Sequence, residues 1–168
     1  MTLRRFAVFT LFTLFLTAAA SAQTKYKTYS NGRFFFEIEY PATFSMGEAE
    51  KAPANDDGRI FTSADGRAEM RAWANYNALF HTTKQEYQWQ IENFEAAVGY
   101  HALAANWFVI SGTSGGKIIY EKTIHRKDKE ADVYYTFRIE YPESQKQTCD
   151  PIVAHIQRSF KWIPGADI

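Results

Sequence analysis

The chain has 168 residues, with 19 basic and 19 acidic side chains and an aromatic set of 14 Phe, 10 Tyr and 4 Trp. This balance excludes a disordered chain, which would be poor in aromatic residues and unbalanced in charge, and 9 Gly with 5 Pro exclude a collagen-like chain. The zero net charge argues against a nucleic-acid-binding protein, because such proteins need a basic surplus to displace counterions from phosphates.

Residues 1–22 have the pattern of a secretory signal. Arg4 and Arg5 precede an apolar run from Phe6 to Leu16, and Ala20-Ser21-Ala22 supplies the small residues of a cleavage site. The run is shorter than the ~20 apolar residues that cross a bilayer, so we predict cleavage rather than a membrane anchor. The cleavage point has no cysteine for lipid attachment. The pattern therefore predicts a periplasmic or secreted protein without a stable membrane anchor after cleavage.

The remaining residues, 23–168, match the size of one globular domain. Cys149 is the single cysteine. An internal disulfide is therefore excluded, and the hydrophobic core must supply the stability of the domain.

Alternation of apolar and polar residues predicts most of the strands. Over 34–40 the apolar residues share one face: Phe34, Phe36, Ile38 and Tyr40. Over 133–141 the predicted buried face is Val133, Tyr135, Phe137, Ile139 and Tyr141, while Thr136, Arg138 and Glu140 are expected to face water. Further strands are predicted over 26–29, 59–63, 67–74, 100–103, 107–113 and 117–126. Such one-sided strands are typical of an antiparallel sheet.

Glycine-containing turns connect these strands. Asp65-Gly66 predicts a tight hairpin, because glycine tolerates a positive φ, and Ser114-Gly115-Gly116 predicts another. The charged stretch 127–130 then leads into the strand over 133–141. The last three of these strands are predicted to form a meander.

Two segments have helical periodicity. Thr83-Lys84-Gln85-Glu86 has the form of a capping box, and the predicted helix runs to Gly99 with an apolar face of Tyr87, Ile91, Phe94 and Val98. The second helix is predicted to begin at Asp150, with Pro151 in its first turn and Pro164 marking its limit. An antiparallel sheet covered by two amphipathic helices is an α+β fold.

Three segments resemble a known group: the strand Phe34-x-Phe36-x-Ile38-x-Tyr40-Pro41, the hairpin from Asp57-Gly58-Arg59 to Ala74, and the helix from Asp150-Pro151 to Phe160. They are similar to small exported bacterial proteins of the PsbP/Mog1-like superfamily, including DcrB-type relatives. The resemblance implies an α-β-α sandwich around a mainly antiparallel, twisted sheet. It also implies a non-catalytic binding or assembly module, but no functional residue of the family is matched here.

Several motifs suggest chemistry only weakly. Gly112 to Gly116 fits the G-x-S-x-G pattern of hydrolases, but a strand follows it rather than a helix, so a hairpin turn is the better interpretation. The four histidines lack the spacing of metal ligands and are expected at the surface or its boundary. Asn55 to Gly58 lacks the alternate ligands of a calcium loop and is interpreted as a turn. We predict no catalytic residue, metal or cofactor.

A doubled Asp-Gly-Arg, at Asp57 to Arg59 and Asp65 to Arg67, is followed by Arg71 and Trp73. Solvated, paired charges are the favoured interpretation. The alternative is that Arg59 and Arg71 approach each other across the hairpin and, with Trp73, hold an anionic or planar ligand or a partner protein.

Tyr76 and Phe80 lie in a segment that is predicted to be a loop. Large apolar residues on a loop either plug the core, which we favour, or form an exposed patch. If they are exposed, they join Arg59, Arg71 and Trp73 as candidate binding residues.

The sequence therefore predicts an exported, non-enzymatic binding or assembly module of the bacterial cell envelope. Its partner would be an envelope protein or a small ligand. The alternative is a small envelope hydrolase, or an inhibitor of one, whose active residues the sequence does not identify. Convergence of Ser114, His155 and an aspartate would favour that alternative.

Overall fold

The computed structural model describes residues 24–47 and 57–164. The predicted signal over 1–22 lies outside these residues, as do Asn55 and Asp56 of the calcium-like loop. The described residues form ten strands and two α-helices: β1 (Tyr26–Asn31), β2 (Phe36–Pro41), β3 (Ser45–Met46), β4 (Gly58–Thr62), β5 (Glu69–Tyr76), α1 (Thr83–Glu92), β6 (Ala97–Leu103), β7 (Trp107–Ser114), β8 (Lys117–Lys127), β9 (Asp132–Pro142), α2 (Lys146–Ser159) and β10 (Lys161–Trp162).

The strands form two antiparallel sheets. The larger sheet has seven strands in the order β3-β4-β5-β9-β8-β7-β6, and the smaller sheet has the order β1-β2-β10. The predicted meander is confirmed, because β7, β8 and β9 are consecutive neighbours. The short strands β3 and β10 were not predicted, since two residues carry no readable alternation.

The hydrophobic core lies between the smaller sheet with α2 and one face of the larger sheet. The predicted inward residues of β2 and β9 are buried, and rings from the two sheets meet edge to face. The ring centroids of Phe36 and Tyr135 are 6.0 Å apart, within the range typical of aromatic pairs. Phe160, which follows α2, contacts both Phe36 and Phe137. Alternation therefore predicted this side of the sheet correctly.

Helix α2 covers the core, but it begins earlier than predicted. It starts at Lys146 and contains Pro151 in its interior. Burial of Cys149, Val153 and Ile156 offsets the hydrogen bond that proline cannot make. Burial also raises the pKa of the Cys149 thiol, which keeps this cysteine in its less reactive, protonated form.

Helix α1 lies on the opposite face of the larger sheet and is shorter than predicted. Its N-cap is Thr82, which forms the capping box with Gln85, one residue before the predicted box. The helix ends at Glu92, and Val98 and Gly99 belong to β6. Thr83 is the one buried residue of α1, and Tyr87 and Ile91 of the predicted apolar face are only partly buried. The helix covers its face of the sheet loosely.

The two helices therefore lie on opposite faces of the larger sheet, and the α+β architecture with a mainly antiparallel sheet is confirmed. Both predicted glycine turns are also present. Gly66, Gly115 and Gly116 have φ values of 68°, 56° and 74°, in the left-handed region that glycine adopts without a steric penalty.

Candidate functional site

The outer face of β9 is not the solvated face that alternation predicted. Tyr134 and Thr136 are buried, and the Arg138 side chain is only 16% exposed. The covering residues come from α1 and from the segment 77–81, which follows β5. Because α1 packs loosely, a groove of about 410 Å³ remains between it and the sheet.

The groove has a charged floor and aromatic walls. Its charged lining residues are Glu86, Glu95, Glu121 and Arg138, and its aromatic lining residues are Trp73, Tyr76, Trp89, Phe94 and Tyr134. Strand register explains the floor, because Glu121 on β8 and Arg71 on β5 are the two cross-strand neighbours of Arg138 on β9.

Arg138 is held by carboxylates. Its Nε and Nη2 atoms bond Glu140 Oε1 at 3.0 and 2.8 Å, and its Nη1 atom pairs with Glu95. The Nη1 atom is also 3.9 Å from Glu121 Oε2, beyond hydrogen-bond distance. Burial raises the pKa of Glu121 to about 7. The Arg138 guanidinium compensates only partly for the lost hydration, and Glu95 and Glu86 add repulsion.

Four large, exposed apolar side chains lie in or next to the groove lining, and we call them the aromatic rim. They are Tyr76, Leu79, Phe80 and Trp89, with exposures of 52%, 65%, 81% and 51%. Tyr76, Leu79 and Trp89 belong to the lining, and Phe80 follows Leu79 in the chain. The expectation that Tyr76 and Phe80 plug the core is therefore wrong, and the exposed-patch alternative holds. The core beneath is already filled by Phe34, whose ring contacts that of Tyr76 with centroids 5.2 Å apart.

Hydrogen bonds from buried side chains fix the segment that carries Phe80. The buried Asn77 side chain donates to His81 O at 2.8 Å and to Asp132 Oδ1 at 2.9 Å, and its Oδ1 atom accepts from His81 N. Tyr134 Oη also donates to His81 O. Phe80 has a φ of 54°, a conformation that is costly for a residue with a Cβ. The backbone thus holds this ring outward in a strained conformation.

Asp132 anchors the same segment to the sheet. Its carboxylate accepts hydrogen bonds from Asn77 at 2.9 Å and from His125 Nε2 at 2.8 Å, and Lys127 Nζ lies 2.8 Å away. Burial alone would raise the pKa of Asp132, but the bonds from Lys127, His125 and Asn77 lower it to about 2. His125 is buried, contrary to the expected boundary position, and its other ring nitrogen bonds Thr83 at the start of α1.

The structure separates the predicted arginine pair. Arg59 lies opposite Ala72 and Arg71 opposite Ile60, so the two side chains project from opposite faces of the hairpin and do not approach each other. Arg59 lies over the Tyr29 ring, whereas Arg71 pairs with Glu69 at 2.7 Å. Trp73 does lie on the groove face.

The doubled Asp-Gly-Arg has structural roles in both copies. Asp57 pairs with Arg33, and Asp65 accepts bonds from Ser63, Arg67 and Gln145 at its turn. These bonds, that from Ser63 foremost, hold the pKa of Asp65 well below its ordinary value.

Ser114 and His155, whose convergence with an aspartate would favour a hydrolase, are not brought together. Ser114 ends β7 at its hairpin, while His155 on α2 bonds Glu39 and stacks on Tyr26 with ring centroids 3.6 Å apart. Within residues 24–47 and 57–164, no group of three His, Cys, Asp or Glu residues could hold a metal ion. In the same part of the chain, no helix has the length and apolar character to cross a membrane.

Sequence reasoning missed Glu121, Trp89 and Gln90. The sequence could have indicated Trp89. Tyr87 and Ile91 define the apolar face of α1, Trp89 lies outside that face, and a tryptophan on the polar face of a helix is unusual. Nothing in the sequence indicated Glu121, because its place beside Arg138 depends on the pairing register of β8 with β9.

No protein-family model matches the sequence, and no curated protein matches it. Solved structures do. The cyanobacterial PsbP (CyanoP) of Synechocystis sp. PCC 6803 is 10% identical with a TM-score of 0.57, and the match covers 88% of this chain and 98% of CyanoP. The Ran-binding protein Mog1p of Saccharomyces cerevisiae is 9% identical with a TM-score of 0.56, covering 83% of this chain and 96% of Mog1p.

The chain thus has the PsbP/Mog1-like fold, and the resemblance that the sequence motifs predicted is confirmed at the level of fold. At 9–10% identity these matches carry no functional residue across to this chain.

Proposed function

We propose that this chain is an exported, non-catalytic binding module of the bacterial cell envelope, which docks to a protein partner through the aromatic rim. The observation that carries the proposal is Phe80, which is 81% exposed and held outward at a φ of 54°. Backbone strain persists only where surrounding structure imposes it, and it is concentrated at functional sites. An apolar patch that is kept rigid loses little entropy on binding.

Two further observations support this proposal. Mog1p, which shares the fold, is a Ran-binding protein, so the architecture serves protein docking in at least that case. Residues 1–22 have the basic start, apolar run and small-residue end of a secretory signal, which supports export. A protein partner fits better than a small ligand, because the rim side chains are exposed rather than enclosed in a cavity.

Capture of envelope proteins by the purified chain tests the docking surface. Phe80→Asn combined with Trp89→Gln removes two rim side chains, and we expect loss of the captured partner. Asparagine tolerates the left-handed conformation, so Phe80→Asn should change the free energy of unfolding by less than about 1 kcal/mol. Tyr100→Ser is the matched control, because Tyr100 is an aromatic residue 57% exposed on β6, outside the rim.

Recovery of the same partner by the wild-type chain and by Tyr100→Ser, but not by the double variant, supports the proposal. Equal recovery by the double variant would show that docking does not use the rim. Thermal unfolding of all three proteins confirms that the comparison is made between folded chains.

A further inference from the structure

The charges that line the groove are unequal in sign. Three carboxylates, of Glu86, Glu95 and Glu121, face one guanidinium, of Arg138. That guanidinium is already bonded to Glu140 and paired with Glu95. An anionic ligand, which the hairpin arginines suggested, would therefore meet excess negative charge.

The groove contains spare hydrogen-bond acceptors. The Glu121 side chain is only 12% exposed, and none of the described residues donates a hydrogen bond to it. The Oε1 atom of Gln90 is buried and likewise receives no hydrogen bond within the described part of the chain, although its Nε2 atom donates to Glu86. A buried acceptor such as Gln90 Oε1 is costly without a donor, and the little-exposed Glu121 carboxylate is poorly hydrated. A ligand that brings N–H groups would relieve both costs.

The walls of the groove suit a cation as well. Trp73, Trp89 and Tyr134 line it, and the faces of such rings attract a guanidinium or an ammonium group. Charge, acceptors and aromatic faces thus favour the same kind of ligand.

We propose that the groove binds a cationic side chain of the partner, arginine above all, from a segment whose neighbouring apolar residues contact the aromatic rim. This inference rests on the proposed docking function and specifies the chemistry of the partner. Arginine fits better than lysine, because its planar fork of five donors can reach separate acceptors and stack on an aromatic ring.

Glu121 makes this binding depend on pH. The groups that face it are Arg138 from β9, Ile110 from β7, Glu86 from α1 and Glu95 from the segment after α1. His81 in turn bonds Glu86. Because burial raises the pKa of Glu121 to about 7, the carboxylate becomes protonated as the pH falls from 8 to 6. Affinity for a cation should decrease over that interval.

Two peptides that differ in one charge test the inference. The purified protein is titrated with fluorescein-labelled Ala-Leu-Arg-Leu-Ala and with the same peptide carrying citrulline, which keeps the shape of arginine but is neutral. At pH 8, fluorescence anisotropy should show roughly tenfold tighter binding of the arginine peptide. Glu121→Gln should remove most of this preference, whereas Glu92→Gln, an exposed carboxylate of α1 outside the groove lining, should leave it unchanged.

Equal affinity for the two peptides, no binding of either, or a charge preference that survives Glu121→Gln would each overturn the inference. The outcome is separable from that of the docking proposal. If the double variant loses the partner but the peptides show no charge preference, the rim docks a partner without a cation site. If the arginine peptide binds while capture ignores the rim, only the docking proposal fails.

Discussion

Glu121 and Asp132 are carboxylates on paired strands whose surroundings shift their pKa values in opposite directions. Asp132 accepts several hydrogen bonds, so its pKa falls to about 2 despite partial burial. Glu121 receives no hydrogen bond from Arg138, and burial raises its pKa to about 7. The residue composition of β8 and β9 predicts neither shift, because each depends on partners from other elements.

Glu121→Gln should stabilise the protein at pH 8. The carboxyl has a pKa near 4.3 in the unfolded chain and about 7 in the folded chain, so the folded state binds the proton more tightly. Its destabilising effect is absent below about pH 4, grows as the pH rises, and is complete above about pH 7. We expect the variant to gain about 2 kcal/mol in free energy of unfolding at pH 8 and nothing near pH 4.

Urea unfolding at the two pH values measures this difference. Glu92→Gln serves as the control for loss of one carboxylate from an exposed site. A Glu121→Gln variant that is less stable than the wild type at pH 8 would show that the carboxylate contributes favourable interactions to the fold.

At the scale of elements, the pairing of β4 with β5 fixes where Trp73 lies. Gly58 is buried at the start of β4, directly opposite Trp73. A Cβ atom placed on Gly58 would lie 2.1 Å from Ala72 O and 2.6 Å from Trp73 Cβ, far closer than atoms pack. The glycine therefore permits a close approach of the two strands beside the groove.

Gly58→Ala should lower the free energy of unfolding by about 2–3 kcal/mol, because the strands must separate to admit the methyl group. Gly99→Ala in β6 is the matched control, since a Cβ there would have no neighbour within 4 Å and the residue lacks a positive φ. Chemical denaturation compares the two variants. A neutral Gly58→Ala would contradict the close packing of β4 on β5.

At the scale of the whole molecule, the larger sheet has two unlike faces. One is covered by the smaller sheet and α2 and forms the core, while the other is covered incompletely by α1 and the segment 77–81. Because of this asymmetry, the residues that stabilise the fold and those of the proposed docking surface lie on different faces of the sheet. Core substitutions should change stability foremost, and rim or groove substitutions should change binding.

The proposed export is a property of the whole chain. Expressed at full length in a bacterium, the protein should be recovered outside the cytoplasm with Gln23 at its N-terminus, as N-terminal peptide mass spectrometry would show. Leu14→Arg interrupts the apolar run and should leave an unprocessed protein in the cell, whereas Thr2→Lys, before the run, should be processed normally. Recovery of an intact N-terminus outside the cytoplasm would contradict cleavage after Ala22.

The sequence by itself determined the α+β class, the strands with long alternating patterns and the glycine turns. Such features follow from local periodicity and from the conformational freedom of glycine, as at Gly66 and Gly115. It predicted the start of α1 to within one residue, but not its end, because Val98 continues the helical spacing although it pairs with Gly112 in the sheet.

Only the tertiary structure decided which arginines and carboxylates meet. The pairing register of β4 with β5 sets Arg59 opposite Ala72 and not opposite Arg71, so the two arginines lie on opposite faces. The register of β8 with β9 brings Glu121 beside Arg138. Alternation defines the two faces of a strand but not its partner, nor what covers its polar face. The groove exists because a weakly amphipathic helix covers that face incompletely, which depends on contacts between residues far apart in the chain.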